Sequence, residues 1–338
     1  MKKRVTIYDI ARELNTTAST VSRALQDHPS ISNGMKTAVL ELTKKLNYQP
    51  NAVASSLRKG KGNTIGVIIP NIDRYFFSSV IRGIEDVAYE AGYNVLICQS
   101  HDSWEREKTI VDTLINGRVD GFIVSLALET KNYKHFQLIQ DKGIPLIFFD
   151  RTPQNMKVHK VEINDFAGAF NAVEHLILQG CKRIAHFSGP QHVGIYKNRF
   201  EGYKAALLKN GLEFDEKLVF NNVLTSEEGE ETALSISKMK PLPDGIFAAS
   251  DFSAIGAILK LKQLKINIPQ DIAVVGFANE PYDNLLEPGI SSVDQHSIEM
   301  GRTAAKLLLE ATVEAKHTDS PTRIVLNSDL HIRSSSQK

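Results

Sequence analysis

The sequence predicts two parts of different class: an N-terminal all-α helix-turn-helix head, and behind it an α/β body of two lobes built on parallel sheets. Three observations carry this. Residues 5–46 place apolar side chains at helical spacing in two short runs joined by a tight turn, with a third helix after them. From Thr64 onward, short uninterrupted apolar runs alternate with amphipathic helices, in a scheme that runs once and then restarts. The charge is also divided. Residues 1–61 carry 11 Lys and Arg against 4 Asp and Glu, and the rest 29 against 35, so a net +1 conceals +7 in front of −6.

Bulk composition narrows the classes. A chain of 338 residues gives two or three domains with ample core, and 42% hydrophobic with 23% charged residues is ordinary for a globular protein. No apolar run approaches the ~18 residues of a membrane span. Met1-Lys2-Lys3-Arg4 is basic but leads into Asp9, Arg12 and Glu13, which is no signal peptide, so the protein is expected in the cytoplasm. Cys98 and Cys181 are expected as buried thiols. There is no nucleophile elbow, no metal-spaced His/Cys/Asp cluster and no dinucleotide glycine fingerprint, and the ten histidines are scattered. Neither enzyme chemistry, a metal nor a cofactor is expected.

In the head, Ile10, Ala11 and Leu14 share a face, Thr6 is an N-cap candidate with Asp9 three residues on, and Asn15 suits the turn. The second helix, Ala18–Leu25, turns Val21, Ala24 and Leu25 inward and is expected to turn Ser19, Ser22 and Arg23 outward. Small residues allow close approach to a groove, and an arginine can pair with a guanine edge through two bonds. By itself a Ser/Arg helix face is ordinary solvated surface. Combined with the helix-turn-helix order, the N-terminal position and the one-sided charge, it points to DNA. A third helix over 33–46 buries Ala38, Val39, Leu42 and Leu46 and ends at Asn47-Tyr48-Gln49-Pro50. The two-turn stretch Asn51–Arg58 is too short to be helical alone and is read as a linker that folds only on DNA. Lys59-Gly60-Lys61-Gly62-Asn63 is a flexible basic link without Walker spacing.

In the body, Ile65–Ile69, Asn94–Cys98, Gly121–Ser125 and Pro145–Phe149 read as strands, with helices near 76–91, 104–117 and 131–142. The second series has strands Arg183–Ser188, Lys217–Phe220, Gly245–Ala249 and Ala273–Phe277, with helices near 166–180, 197–211, 228–239 and 252–265. Two such halves imply two lobes with a cleft between them, lined by loops at the carboxyl ends of the strands.

Val5-Thr6-Ile7-Tyr8-Asp9-Ile10-Ala11, Thr20-Val21-Ser22-Arg23-Ala24-Leu25 and Leu46-Asn47-Tyr48-Gln49-Pro50-Asn51-Ala52-Val53-Ala54 resemble the head of the LacI/GalR family of bacterial transcription regulators, and the likeness continues along the chain. The resemblance implies a DNA-binding head (1–49), a hinge helix and linker (50–63) and a periplasmic-binding-protein-like body (64–338). Crossovers are expected near 162, 291 and 323. Lobe 1 would hold about 64–162 and 292–322, and lobe 2 about 163–291 and 323–338, including Arg323–Leu326. Ala18, Ser19 and Arg23 would read the major groove, Thr6, Tyr8, Thr17, Ser22, Ser32 and Asn51 would anchor phosphates, and Ala54 and Leu57 would lie in the minor-groove hinge, with Leu57 as the wedge. Ser55 stands where the family often has arginine.

For the cleft, the resemblance implies effector contacts from Phe76, Phe77, Asp150, Arg199, Leu224, Ser250, Ala278 and Gln295. Asp150 has capping or pairing with Arg151 as its structural alternative, and Asp251 is read first as an N-cap. Ala278 departs from the family's aspartate, so either the effector is less basic or less hydroxylated at that end, or Asn279 or Asp283 substitutes. The implied protein is a repressor that binds a near-palindromic operator as a homodimer and answers to a sugar or sugar derivative rather than a nucleobase. A tetramer stays open, although residues 334–338 show no heptad. A solute-binding protein using the body alone is the alternative, opposed by the basic head and the missing signal peptide.

Overall fold

Three hydroxyl side chains start the helices of the head. Thr6 caps α1 (Ile7–Glu13) in a capping box with Asp9, Thr17 caps α2 (Ala18–Leu25), and Ser32 caps α3 (Asn33–Lys45). Each accepts from the N–H of the third residue on, a bond worth about 1 kcal/mol. The computed structural model describes residues 5–48, 62–313 and 320–338, and the chain divides into two units, Met1–Gly62 and Asn63–Lys338. Asn15, at φ 46°, makes the turn between α1 and α2. Ile10, Ala11, Val21, Ala24, Val39 and Leu42 form the core of the head, with Ala38 and Leu46 only partly covered. One expectation fails here. Ser22 is 7% exposed, because it shares an arc of α2 with Ala18 and Leu25 and is drawn into the packed side.

The second unit contains two six-stranded sheets. In the first, β1 (Thr64–Ile69), β2 (Asn94–Gln99), β3 (Gly121–Val124), β4 (Leu146–Phe149), β5 (His159–Ile163) and β11 (Arg323–Leu326) lie in the order β11-β5-β4-β3-β1-β2, all parallel. In the second, β6 (Ile184–Phe187), β7 (Val219–Phe220), β8 (Gly245–Ala248), β9 (Ala273–Ala278), β10 (Ser291–Asp294) and β12 (Asp329–His331) lie in the order β12-β10-β9-β8-β6-β7. Only β12 runs antiparallel there, against β10. The strand expected over Lys217–Phe220 is half 3₁₀ turn, Glu216–Leu218, leaving two residues to pair.

Lobe 1 carries helices α4 (Tyr75–Glu90), α5 (Trp104–Asn116), α6 (Lys134–Asp141) and α11 (Ser297–Val313). Lobe 2 carries α7 (Asp165–Leu178), α8 (Gly194–Lys209), α9 (Ser226–Ile236) and α10 (Asp251–Gln263). Arg323–Leu326 does not join lobe 2 as expected. It pairs with β5 from Arg323 opposite Lys160 to Leu326 opposite Ile163, and the chain crosses only afterwards to reach β12. The three crossings therefore fall at 163–165, 294–297 and 326–329. After β12, Arg333 donates to the side chains of Asn279 and Asn284 and to the Ile290 carbonyl, and Ser335 and Ser336 are buried against the second sheet. Cys98 is partly covered and Cys181 buried, both as free thiols. Among the described residues no helix is long and apolar enough to cross a membrane.

Helices on these sheets cross at backbone contact. A Cβ on Gly83 of α4 would land well inside 3.0 Å of the Ile298 carbonyl on α11, and one on Gly256 of α10 would do the same to the Ser226 carbonyl on α9. Alanine favours a helix over glycine by about 1 kcal/mol, but backbone cannot yield as a side chain does. Gly256→Ala is therefore expected to lower stability by about 1–3 kcal/mol, as overpacking does, read as a lower urea midpoint. An unchanged or higher midpoint would show that the helices part without cost.

Candidate nucleic-acid interface and ligand cleft

On the head, α2 exposes Ser19 and Arg23 one helical turn apart, with Ala18 partly buried beside them. Thr17 Oγ1 lies 2.8 Å from Ser19 Oγ and 3.0 Å from Thr20 Oγ1. Thr6 and Ser32 are exposed at the starts of their helices, and Tyr8 is 69% exposed. The N-terminal ends of helices carry partial positive charge and unsatisfied N–H groups, which suits phosphate oxygens. Ser22, buried, is not on this face. Asn51, Ala54 and Leu57 lie outside the described residues.

In the second unit, a cavity of about 380 Å³ opens between the lobes, and Phe76, Phe77, Asp150, Arg199, Leu224, Ser250, Ala278 and Gln295 all line it. The topology explains the convergence. Asp150 follows β4, Ala278 ends β9, Gln295 follows β10, and Phe76 and Phe77 start the helix after β1. Parallel strands all point their carboxyl ends at the cleft. Asp150 sits at φ 56° and Ala278 at φ 141°, both conformations that side chains other than glycine's rarely adopt.

Arg199 is 3% exposed and held on several sides. Its Nε donates to Asp165 Oδ1 at 2.7 Å, its Nη1 donates to the Ala249 carbonyl at 2.9 Å, and its guanidinium lies 3.6 Å over the Phe277 ring. Neither bond uses Nη2, so a donor remains for the cavity. Burial pushes the Asp165 carboxyl up to about 7 even though Arg199 pulls it down. In lobe 1, Asp102 ties four loops together. It accepts from Arg151 Nη1 at 2.5 Å, Leu128 N at 2.9 Å and Asn71 Nδ2 at 3.1 Å. Arg151 thus pairs with Asp102 rather than with Asp150. Asp150 accepts from Ser125 Oγ at 3.4 Å, and burial raises its pKa.

The end of the cavity near Ala278 differs from expectation. Asn279 donates to Asp294 Oδ2 at 3.0 Å and accepts from Arg333 at 2.6 Å, and Asp283 is fully buried, so neither lines the cavity. Asp251 is the first residue of α10 rather than its cap. It accepts from Ser292 Oγ at 2.7 Å and from Glu280 N at 3.2 Å. The carboxyl that reaches the wall is Glu280, 3% exposed, with Oε2 lacking a hydrogen-bond partner. Arg74 and Glu280 are lining residues that sequence reasoning missed. Arg74 directly precedes the aromatic run Tyr75-Phe76-Phe77, and Glu280 lies two places after Ala278. Among the described residues no His, Cys, Asp and Glu cluster is arranged to hold a metal ion.

Burial, then the neighbouring Asp251, push Glu280 up to about 7 from 4.5; Arg74, Tyr282 and the Phe76 N–H pull the other way. Asp251 and Asp283 are raised as well, by burial first. A carboxyl raised on folding holds its proton in the native state, so its contribution to stability is lost as pH rises from the unfolded value through the folded one. Glu280→Gln removes that loss. Its stability relative to wild type should climb between pH 4.5 and about 7, at up to about 1.4 kcal/mol per pH unit, in paired thermal melts. A gain that is flat with pH would mean that Glu280 is ionised throughout.

Comparison with known proteins agrees with this architecture. The model of bacterial regulatory proteins of the lacI family matches residues 6–51, and that of the periplasmic binding protein-like domain matches 173–336. The chain is 33% identical to the ribose operon repressor of Halalkalibacterium halodurans over 95% of its own length and 96% of the relative's. Among solved structures it is similar to a transcriptional regulator CelR–cellobiose complex (28% identity, TM-score 0.75, covering 98% of this chain and 100% of that one). It also shares its fold with the lac repressor dimer bound to operator and the anti-inducer ONPF (22% identity, TM-score 0.86, covering 99% and 100%). With a matching head, a matching body and a full-length relative above 30% identity, the chain belongs to the lacI family of bacterial regulatory proteins, DNA-binding transcription regulators rather than enzymes.

Proposed function

We propose that this DNA-binding regulator is a repressor that reads a near-palindromic operator as a homodimer and is controlled by a sugar or sugar derivative in the cleft between its lobes. The observation that carries the reading is the meeting of eight residues from both lobes around one cavity, with a spare Arg199 donor and aromatic faces in its wall. Pockets of this kind, mostly apolar with a few convergent polar groups, suit a small ligand. The names of two similar proteins point the same way, one a ribose operon repressor and the other bound to cellobiose.

In the head, Ser19 and Arg23 read base edges with Ala18 close to the groove floor. Thr6, Tyr8, Thr17 and Ser32 contact phosphates, joined by Asn51, with Ala54 and Leu57 in the minor groove. Ser22 is withdrawn from the phosphate set. Two heads on one dimer read two half-sites. A ligand that fits one angle between the lobes better than another shifts the balance of the two, and a coupling of about 1–3 kcal/mol changes operator affinity ~5- to 150-fold.

The test is fluorescence anisotropy on inverted-repeat duplexes selected from a random pool. Affinity should fall steeply with salt, since phosphate contacts release counterions. Arg23→Ala should cost about 1–3 kcal/mol and relax the preference at one operator position. A flat salt response, or an unchanged preference in Arg23→Ala, would remove α2 from the reading role.

A further inference from the structure

A basic and an acidic side chain from opposite lobes line the same cavity without pairing. Arg74 comes from lobe 1, just ahead of α4, and its guanidinium lies 3.9 Å over the ring of Phe252 on lobe 2. Among the described residues its side chain makes no hydrogen bond and no ion pair. Glu280 comes from the loop after β9 on lobe 2, with Oε2 unpartnered and buried. Phe252 follows Asp251, which accepts from the Glu280 N–H at 3.2 Å, so Arg74 and Glu280 meet at one end of the cavity that both line. An unpartnered buried carboxyl oxygen is costly and is relieved by a donor.

We propose that Arg74 and Glu280 form a two-lobe clamp on a neutral hydroxyl of the effector, with Arg74 donating to its oxygen and a Glu280 oxygen accepting a hydrogen bond from its O–H. The chemistry selects the class. A hydroxyl is donor and acceptor at once. A carboxylate or phosphate at this end would add a third acidic group beside Glu280 and Asp251, and an ammonium meets Arg74 and its neighbour Phe252, already occupied by a cation. The loop carrying Glu280 is fastened from behind by Arg333, through Asn279 and Asn284, so the acceptor is preorganised. Because the partners belong to different lobes, the same hydroxyl also joins the lobes. The inference rests on the cleft being the effector site.

The full-length chain is titrated by calorimetry with glucose, ribose and cellobiose, and with glucuronate, glucose 6-phosphate and glucosamine as charged counterparts. Glu280→Met and Arg74→Met are compared with wild type after each shows a cooperative melt. The expected result is a neutral sugar that binds wild type more tightly than its charged counterparts and loses about 10-fold or more in each variant, with the double variant losing less than the product of the two. A purely structural role for Glu280 would not produce that coupling with Arg74. A neutral sugar that binds both variants as tightly as wild type overturns the clamp while leaving the cleft as the effector site. A charged counterpart that binds more tightly than its parent and depends on Arg74 overturns the hydroxyl assignment. Absence of binding to wild type across the whole panel means that the sugar reading itself has failed, and the clamp falls with it.

Discussion

Burying the Arg199 guanidinium is the constraint on which the cleft depends. Taking such a group out of water costs several kcal/mol, and only good geometry offsets it. Asp165 at the start of α7, the Ala249 carbonyl after β8 and the Phe277 ring on β9 supply that geometry together. Three pieces of lobe 2 are thereby fixed against one side chain, which also lines the cavity. Asp102 plays the matching part in lobe 1, where one carboxylate gathers the loops after β1, β3 and β4. Each half of the cleft is thus stiff before any ligand arrives, which is what a selective pocket needs.

The architecture was legible where the chemistry is periodic. The buried strands of both sheets, such as Ile65–Ile69 and Gly245–Ala248, are unbroken apolar runs, because parallel strands covered on both faces need them. Elements outside that pattern were not legible. β5 reads His-Lys-Val-Glu-Ile with a half-exposed face, β10 reads Ser-Ser-Val-Asp, and β12 has three residues. Their pairing is decided by tertiary position rather than by local composition. The same limit misplaced Arg323–Leu326, whose alternating exposure is equally compatible with the edge of either sheet.

The cleft was legible through family likeness and only at matched positions. Arg199 and Asp150 stand where that likeness put them. Glu280 was not found that way, since it was not among the positions that the likeness matched. Which carboxyl reaches the cavity depends on the backbone reversal at Ala278 and Asn279, at φ 141° and 53°. That reversal points Asn279 back to Asp294 and Arg333 and leaves the next residue at the wall. Ser22 in the head is the opposite case: a polar residue read as surface was enlisted into a small core, which a three-helix unit requires to close.

The three crossings between the lobes have a mechanical consequence. A body hung on one tether can swing and twist in any direction, whereas three separate tethers, at 163–165, 294–297 and 326–329, cancel most of those freedoms. Within each lobe the helices meet at backbone contact, so relative movement of the lobes is concentrated in those three short segments. Ligands of unrelated shape would all have to act on the same three segments.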